Sequence, residues 1–319
     1  MKRGLIILLL LVTPALAAKP PKAKSRSGSS GTTRSPADSS SDVVKYEKST
    51  PEQDARAITD AQDRAAKTSD TLHVKFTELQ TTHFIIFTDW DPREYNFLKT
   101  NVEGAYTAVA RQFEMSPKDN IFIGKLPIYM FAKRSDFMSF AAKIDKFDPP
   151  KDLAGYCQSR SDGFSHMAMS KPDPAWSNGS TPQAERIWAY TLTHEFTHAF
   201  VARYRTNRNV PRWLNEGLAE VVADGQFPRA GARQFARTMA KGNTGVSSIF
   251  NDDVMPPFQM YPVMMTMTEA LIRENPKKFL KYFNEIKDGA EPEECLKSNY
   301  NVDYGGLEDA WRKYIKSTK

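Results

Sequence analysis

Two short stretches hold the residue types that could do chemistry together: His194-Glu195-Phe196-Thr197-His198, and Trp213-Leu214-Asn215-Glu216-Gly217-Leu218-Ala219-Glu220. On an α-helix, side chains four residues apart lie one above the other, so His194 and His198 can aim two imidazoles at one ion. Glu195, one step round the helix from His194, can reach a water at that ion without being a ligand itself. A catalytic zinc takes three nitrogen or oxygen donors from the protein and keeps a fourth position for water. Glu216 is the expected third donor. If the first helix runs to about Tyr204 and turns through 205–210, a second helix can fold back beside it. The rises from His198 to Tyr204 and from Pro211 to Glu216 are both roughly 7–9 Å at helical geometry, so an antiparallel return brings Glu216 level with His198. One zinc ion per chain is therefore expected. The chemistry such a set supports is metal-assisted hydrolysis with Glu195 as general base.

The elements needed to hold these residues are legible around them. A long helix is expected over 181–204, starting at Thr181-Pro182, where proline suits the first turn. Pro211 opens the second site helix and Gly225 closes it. Upstream, residues 51–70 read as a surface helix. Strand character follows over 71–89, first in alternating Leu72, Val74 and Phe76, then in the apolar run Phe84-Ile85-Ile86-Phe87. A helix over 92–115, a strand over 126–131 and a short helix over 135–143 capped by Ser135 come next. Two short strands at 152–158 and 166–170 precede a loop over 171–180. Beyond the motif, helices are expected at 230–241, 257–274, 276–287 and 307–316. The fold class is α+β: a mixed sheet lobe over 71–180, the site helix, and a mainly helical lobe over 205–319, in one domain of 71–319.

The N-terminus differs in kind. Residues 1–17 carry Lys2 and Arg3, an apolar run over 4–12 and Ala15-Leu16-Ala17, the three parts of an export signal. That run is short for a membrane span, so an exported protein, periplasmic or extracellular, is expected. Residues 18–50 are rich in Lys, Pro, Ser and Gly and read as a disordered tether. The formal net charge of +6 resides there: residues 1–48 hold nine Lys and Arg against three acidic residues. The remainder is balanced, which speaks against a nucleic-acid-binding face. The basic tether is the one segment suited to anionic envelope polymers. Cys157 and Cys295 are the only cysteines, and sequence leaves open whether they pair.

At the two site stretches the sequence resembles the gluzincin zinc metallopeptidases, most closely their peptidase MA-like bacterial branch. Weaker likeness extends to Thr82-His83-Phe84-Ile85-Ile86-Phe87, to Ala154-Gly155-Tyr156 and to the region from Tyr261. The resemblance implies a zincin-like fold, with a twisted sheet whose antiparallel edge strand borders the cleft above the site helix. That strand would lie among 152–158 or 166–170, with Gly155 and Tyr156 as candidate substrate contacts. It also implies that Glu220, one turn beyond Glu216, accepts the outer N–H of the first histidine ligand. Two features of better-known relatives are missing. No G-x-M-E-N strand is present to bind a substrate amine, and no histidine follows His198 to hold an oxyanion. Tyr261 is the candidate for that second task, with Tyr190, Tyr204 and Tyr282 also open.

The implied activity is hydrolysis of a peptide or protein substrate. Two other readings stay open on sequence: an exported binding or scaffold protein with a silent zinc site, and a hydrolase of cell-wall peptide cross-links. Trp213, Leu218 and the methionines Met260, Met264, Met265 and Met267 read as core, and His73, His83 and His166 as structural.

Overall fold

In the computed structural model, residues 4–7, 43–160, 163–177, 179–242, 245–253 and 258–318 are described. The export-signal reading falls outside these residues except at Gly4–Ile7, as does most of the tether. Helix α1, Pro51–Leu72, opens on a reciprocal cap. Thr50 Oγ1 accepts from the Gln53 amide at 3.3 Å, and Gln53 Oε1 accepts from the Thr50 amide at 2.8 Å. The helix runs through Leu72 and stops at His73, whose φ of 56° is left-handed. The alternation at Leu72, Val74 and Phe76 is therefore a helix end and a connector, not a strand.

Six strands form one sheet in the order β1-β5-β6-β4-β3-β2. Their ranges are Gly4–Ile7 (β1), Thr77–Gln80 (β2), Phe84–Thr88 (β3), Leu126–Phe131 (β4), Gly155–Ser159 (β5) and Ser165–Ser170 (β6). The pairs β3/β4 and β4/β6 are parallel; the others are antiparallel. The inner five strands are the main sheet, and β1 lies along the outer edge of β5 with Ile6 opposite Cys157.

Side chains alternate across the sheet with the period of two that strands require. Ile85, Phe87, Tyr129, Phe131, Tyr156 and Ala168 pack with α1 and α3 (Arg134–Lys143). Phe84, Ile86, Ile128, Met130, Cys157, Met167 and Met169 face the other way, into the core shared with α2 (Tyr95–Gln112) and α4 (Thr181–Arg203). Ser135 does not cap α3; its N-cap position is Lys133, with no side-chain cap.

Helix α4 is buried without a break from Trp188 to Val201. A helix covered on all sides carries no amphipathic stripe, and this one sits between the sheet and the helical lobe. Trp188 Nε1 donates to Ser170 O at 2.9 Å and ties it to β6. Helices α5 (Arg212–Gln226), α6 (Ala230–Lys241), α7 (Tyr261–Glu274), α8 (Pro276–Lys287), α9 (Pro292–Tyr300) and α10 (Tyr304–Ser317) complete the lobe. Gly225 lies inside α5 rather than closing it, and α9 is an addition to the expected set. Mixed α+β architecture is thus observed. No helix among the described residues is long and apolar enough to cross a membrane.

The turn from α4 to α5 is clamped from two sides. Lys287 Nζ, buried, donates to the Val201 carbonyl at 2.9 Å and the Arg208 carbonyl at 2.7 Å. Burial drives its pKa down to about 7. The end of the expected tether forms the other side. Lys45 pairs with Thr206, the Tyr46 amide donates to Arg205 O at 2.8 Å, and the Arg203 guanidinium stacks 4.0 Å over the Tyr46 ring. Residues 43–48 are therefore docked rather than disordered, because Tyr46 supplies an aromatic face that the rest of the tether lacks.

Candidate metal centre

Helices α4 and α5 lie antiparallel and deliver three donors to one point. His194 Nε2 and His198 Nε2 are 3.0 Å apart, and Glu216 Oε2 lies 3.4 Å from each. His194, His198 and Glu216 are all buried, and their donor atoms lie within 4.8 Å of one another. Three donors bound at roughly 2.0–2.1 Å to a tetrahedral ion would be separated by roughly 3.3–3.4 Å, so this triangle fits such an ion closely. The chemistry of the atoms fits as well. Glu216 Oε2 is buried and makes no hydrogen bond among the described residues, facing instead the two ring nitrogens. An acceptor so placed needs positive charge beside it, from a bound ion or from a protonated ring, to offset its desolvation.

Protonation in the protein alone follows from this packing. Burial by itself would lower the pKa of His194, but Glu216 and Glu220 outweigh it and push the ring up to about 10. Burial would likewise raise Glu216, yet the His198 and His194 rings hold it at about 2. Glu195, wholly buried, is raised to about 7 by burial against the lowering effect of the same imidazoles. Its Oε2 accepts from the Cys157 amide of β5 at 2.9 Å, while Oε1 has no hydrogen-bond partner among the described residues. One oxygen is anchored and the other is left to act. The Cys157 thiol is pushed up to about 12, chiefly by burial, so it stays a thiol; Cys157 and Cys295 are unpaired.

Glu220 lies behind the cluster. Its Oε1 is 3.2 Å from His194 Nδ1, and its Oε2 accepts from Tyr190 OH at 2.8 Å and from Arg229. Tyr261 opens α7 with its ring buried; burial first, then the charges of Glu216, Glu220 and Glu195, raise its pKa well above the usual range. That places Tyr261 within electrostatic reach of the cluster. The other tyrosines serve elsewhere: Tyr190 on Glu220, Tyr204 against Phe113 and Phe200, Tyr282 in the helical core.

The structure does not support Tyr156 as a side-chain contact. Its phenol points to the α1/α3 side of the sheet and donates to Asp145 Oδ2 at 2.5 Å. Gly155 is also packed inward: a Cβ there would meet Met169 Cγ at 2.9 Å. What β5 offers the site is main chain. Trp213, Leu218 and the four methionines are buried core, and His83 and His166 are structural, paired with Glu103 and Asp145. A cavity of about 410 Å³ between the first half of α1 and the β5–β6 turn contains none of the cluster's residues.

Sequence reading missed three contributors. The Cys157 amide is invisible because any residue could supply it. Arg229 lies past the end of α5, outside both site stretches. Gly217 is in plain view but its role depends on a neighbouring helix: a Cβ there would lie 2.2 Å from Thr268 Oγ1 and 2.5 Å from Met264 O of α7.

This geometry lies within a recognisable segment. Residues 180–317 match the family model described as the Peptidase MA superfamily. The match covers α4 and the whole helical lobe, hence every side chain of the cluster. No curated protein matches the chain. The family match supports a metallopeptidase-like activity and, with it, a peptide substrate.

Proposed function

We propose that the chain is an exported, zinc-dependent peptidase of zincin-like fold that hydrolyses peptide bonds with Glu195 as general base. The observation that carries this reading is the buried triangle of His194, His198 and Glu216 with Glu195 beside it on the helix of the two histidines. A purely structural site would gain nothing from a buried carboxyl tuned near neutrality. Zinc, held by His194, His198 and Glu216, would supply Lewis acidity and lower the pKa of water in the site.

The chain's own groups then divide the work. Glu195 Oε1 accepts the proton of the attacking water and passes it to the leaving amine, while the Cys157 amide keeps the carboxylate oriented. Glu220 holds His194 so that Nε2 faces the ion. Tyr261 is the candidate donor to the developing oxyanion. An extended substrate would add a strand to β5, as Gly4–Ile7 does in the antiparallel register that sets Ile6 opposite Cys157. Export is read from the sequence of residues 1–17, and contact with anionic envelope polymers from the basic residues of 18–50.

The decisive experiment is activity of purified protein on a panel of quenched peptides, abolished by a chelator and restored by zinc. Metal bound at one per chain with no hydrolysis of any peptide or wall-derived substrate would favour a silent binding protein instead.

Metal binding should also be linked to pH. Because His194 is held at about 10 without an ion, the ring is doubly protonated at pH 7 and must give up its Nε2 proton on binding. Release of at least one proton per ion near pH 7 is therefore expected, because Glu195, at about 7 without the ion, also gives up protons as the ion binds; affinity should rise at least about tenfold per pH unit between pH 6 and 8. Titration calorimetry in buffers of different ionisation enthalpy measures the release directly. Binding with no proton release across that range contradicts the assignment.

A further inference from the structure

Glu220 is buried behind the donor triangle with Oε1 3.2 Å from His194 Nδ1, so where this carboxylate sits decides how the ring is oriented. Arg229 reaches it from the connection between α5 and α6, donating through a terminal guanidinium nitrogen to Glu220 Oε2.

Arg229 is itself set in place by two contacts, and its carboxylate partner is shared. Its amide donates to Asp224 Oδ1 at 2.7 Å, its guanidinium stacks 4.0 Å over the Tyr190 ring, and the Tyr190 hydroxyl shares Glu220 Oε2 with it at 2.8 Å. Asp224 is held in turn by Arg233, whose two other guanidinium nitrogens grip Glu269 at 3.2 and 3.0 Å. Arg229 is about one-third exposed while Glu220 is 2% exposed, so the arginine carries positive charge from the surface to the back of the site.

We infer that Arg229 is a positioning residue for the metal centre: through Glu220 it fixes the His194 ring and thereby sets metal affinity. This rests on the metal-site reading above but assigns a residue outside both sequence stretches. An arginine suits the task better than a lysine because its planar fork both stacks on Tyr190 and donates to Glu220. Removing it leaves the three donors in place, so the effect is on how tightly they hold an ion.

The experiment is competition for Zn²⁺ with a chromophoric chelator, run on the full chain and its variants, with melting temperature measured beside it. Arg229→Met is expected to weaken Zn²⁺ binding about tenfold or more, at the scale seen when groups behind metal ligands are removed. Arg229→Lys should recover part of that loss. Arg233→Met reaches Glu220 only through Asp224 and Arg229, so it should lower the melting temperature while weakening affinity less than Arg229→Met does. The double variant Glu220→Gln with Arg229→Met should bind no more weakly than Glu220→Gln alone, since the arginine acts only through the carboxylate. Should Arg229→Met fail to fold, Arg229→Lys and the double variant decide the matter. Unchanged affinity in a folded Arg229→Met, or additive losses in the double variant, overturns the inference. A wild type that binds no Zn²⁺ overturns the metal-site reading instead, so the two failures are distinct.

Discussion

Glu195→Gln is expected to lower peptide hydrolysis by about a hundredfold to ten-thousandfold, the usual contribution of a general base, with metal content unchanged. The substitution is nearly isosteric. The Gln carbonyl can still accept from the Cys157 amide, so the anchor at 2.9 Å survives, and His194, His198 and Glu216 keep their positions. What is lost is the basic oxygen. The readout pairs metal analysis with kcat/KM: His194→Ala should lose both, Glu195→Gln activity alone. A second signature follows from burial. Glu195 titrates at about 7 in the metal-free protein, above the ordinary glutamate value, so its ionisation opposes folding increasingly as pH rises past about 4.5. Metal-free Glu195→Gln should accordingly be at least as thermostable as wild type at pH 8. In the loaded enzyme the ion's positive charge lowers the Glu195 pKa, which places the acid limb of the rate profile at or below about 7. Wild-type activity in Glu195→Gln would refute its role as base.

The parts of this site that sequence revealed are those governed by helical periodicity. Four residues from His194 to His198 is one turn, and equal rises on either side of the 205–210 turn place Glu216 level with them; the observed 3.4 Å separations follow from that arithmetic. Main-chain and long-range contributions left no comparable trace. The Cys157 amide acts through backbone, and Arg229 reaches Glu220 only because the chain bends back after α5. Elsewhere the reading failed where local signals conflicted. Leu72, Val74 and Phe76 alternate like a strand, but the cap at Thr50 starts a helix that uses Leu72 in its last turn. Helix α9 went unread because its nine residues bury only Cys295, Leu296, Asn299 and Tyr300, too few to show a face. Tyr156 was drawn towards the site by resemblance, whereas strand alternation turns its phenol away while Cys157 faces α4. The expected tether docks at 43–48 because one aromatic residue, Tyr46, finds Arg203.

Gly217→Ala is expected to damage the centre without altering any ligand. Gly217 follows Glu216 on α5 and faces α7, where an added Cβ would lie 2.5 Å from Met264 O. Thr268 Oγ1, at 2.2 Å, could rotate away, but the Met264 carbonyl belongs to the α7 backbone and can yield only if the helices part. Separation of α5 from α7 moves Glu216, and the Tyr261 end of α7 with it. Gly225 on the same helix supplies the control, because a Cβ there meets nothing within 4 Å among the described residues. Both substitutions gain about 1 kcal/mol of helix propensity, so the difference between them isolates the clash. Overpacking of this kind costs about 1–3 kcal/mol, and a domain of this size loses about 2–4 °C of melting temperature per kcal/mol. Gly225→Ala should therefore melt at or slightly above wild type and bind metal normally. Gly217→Ala should melt several degrees below Gly225→Ala and hold metal about tenfold more weakly or worse, since a displaced Glu216 opens the donor triangle. Equal melting temperatures and equal affinities in the two variants would mean that α5 and α7 can separate without disturbing Glu216, and that the close approach at Gly217 has no part in building the site.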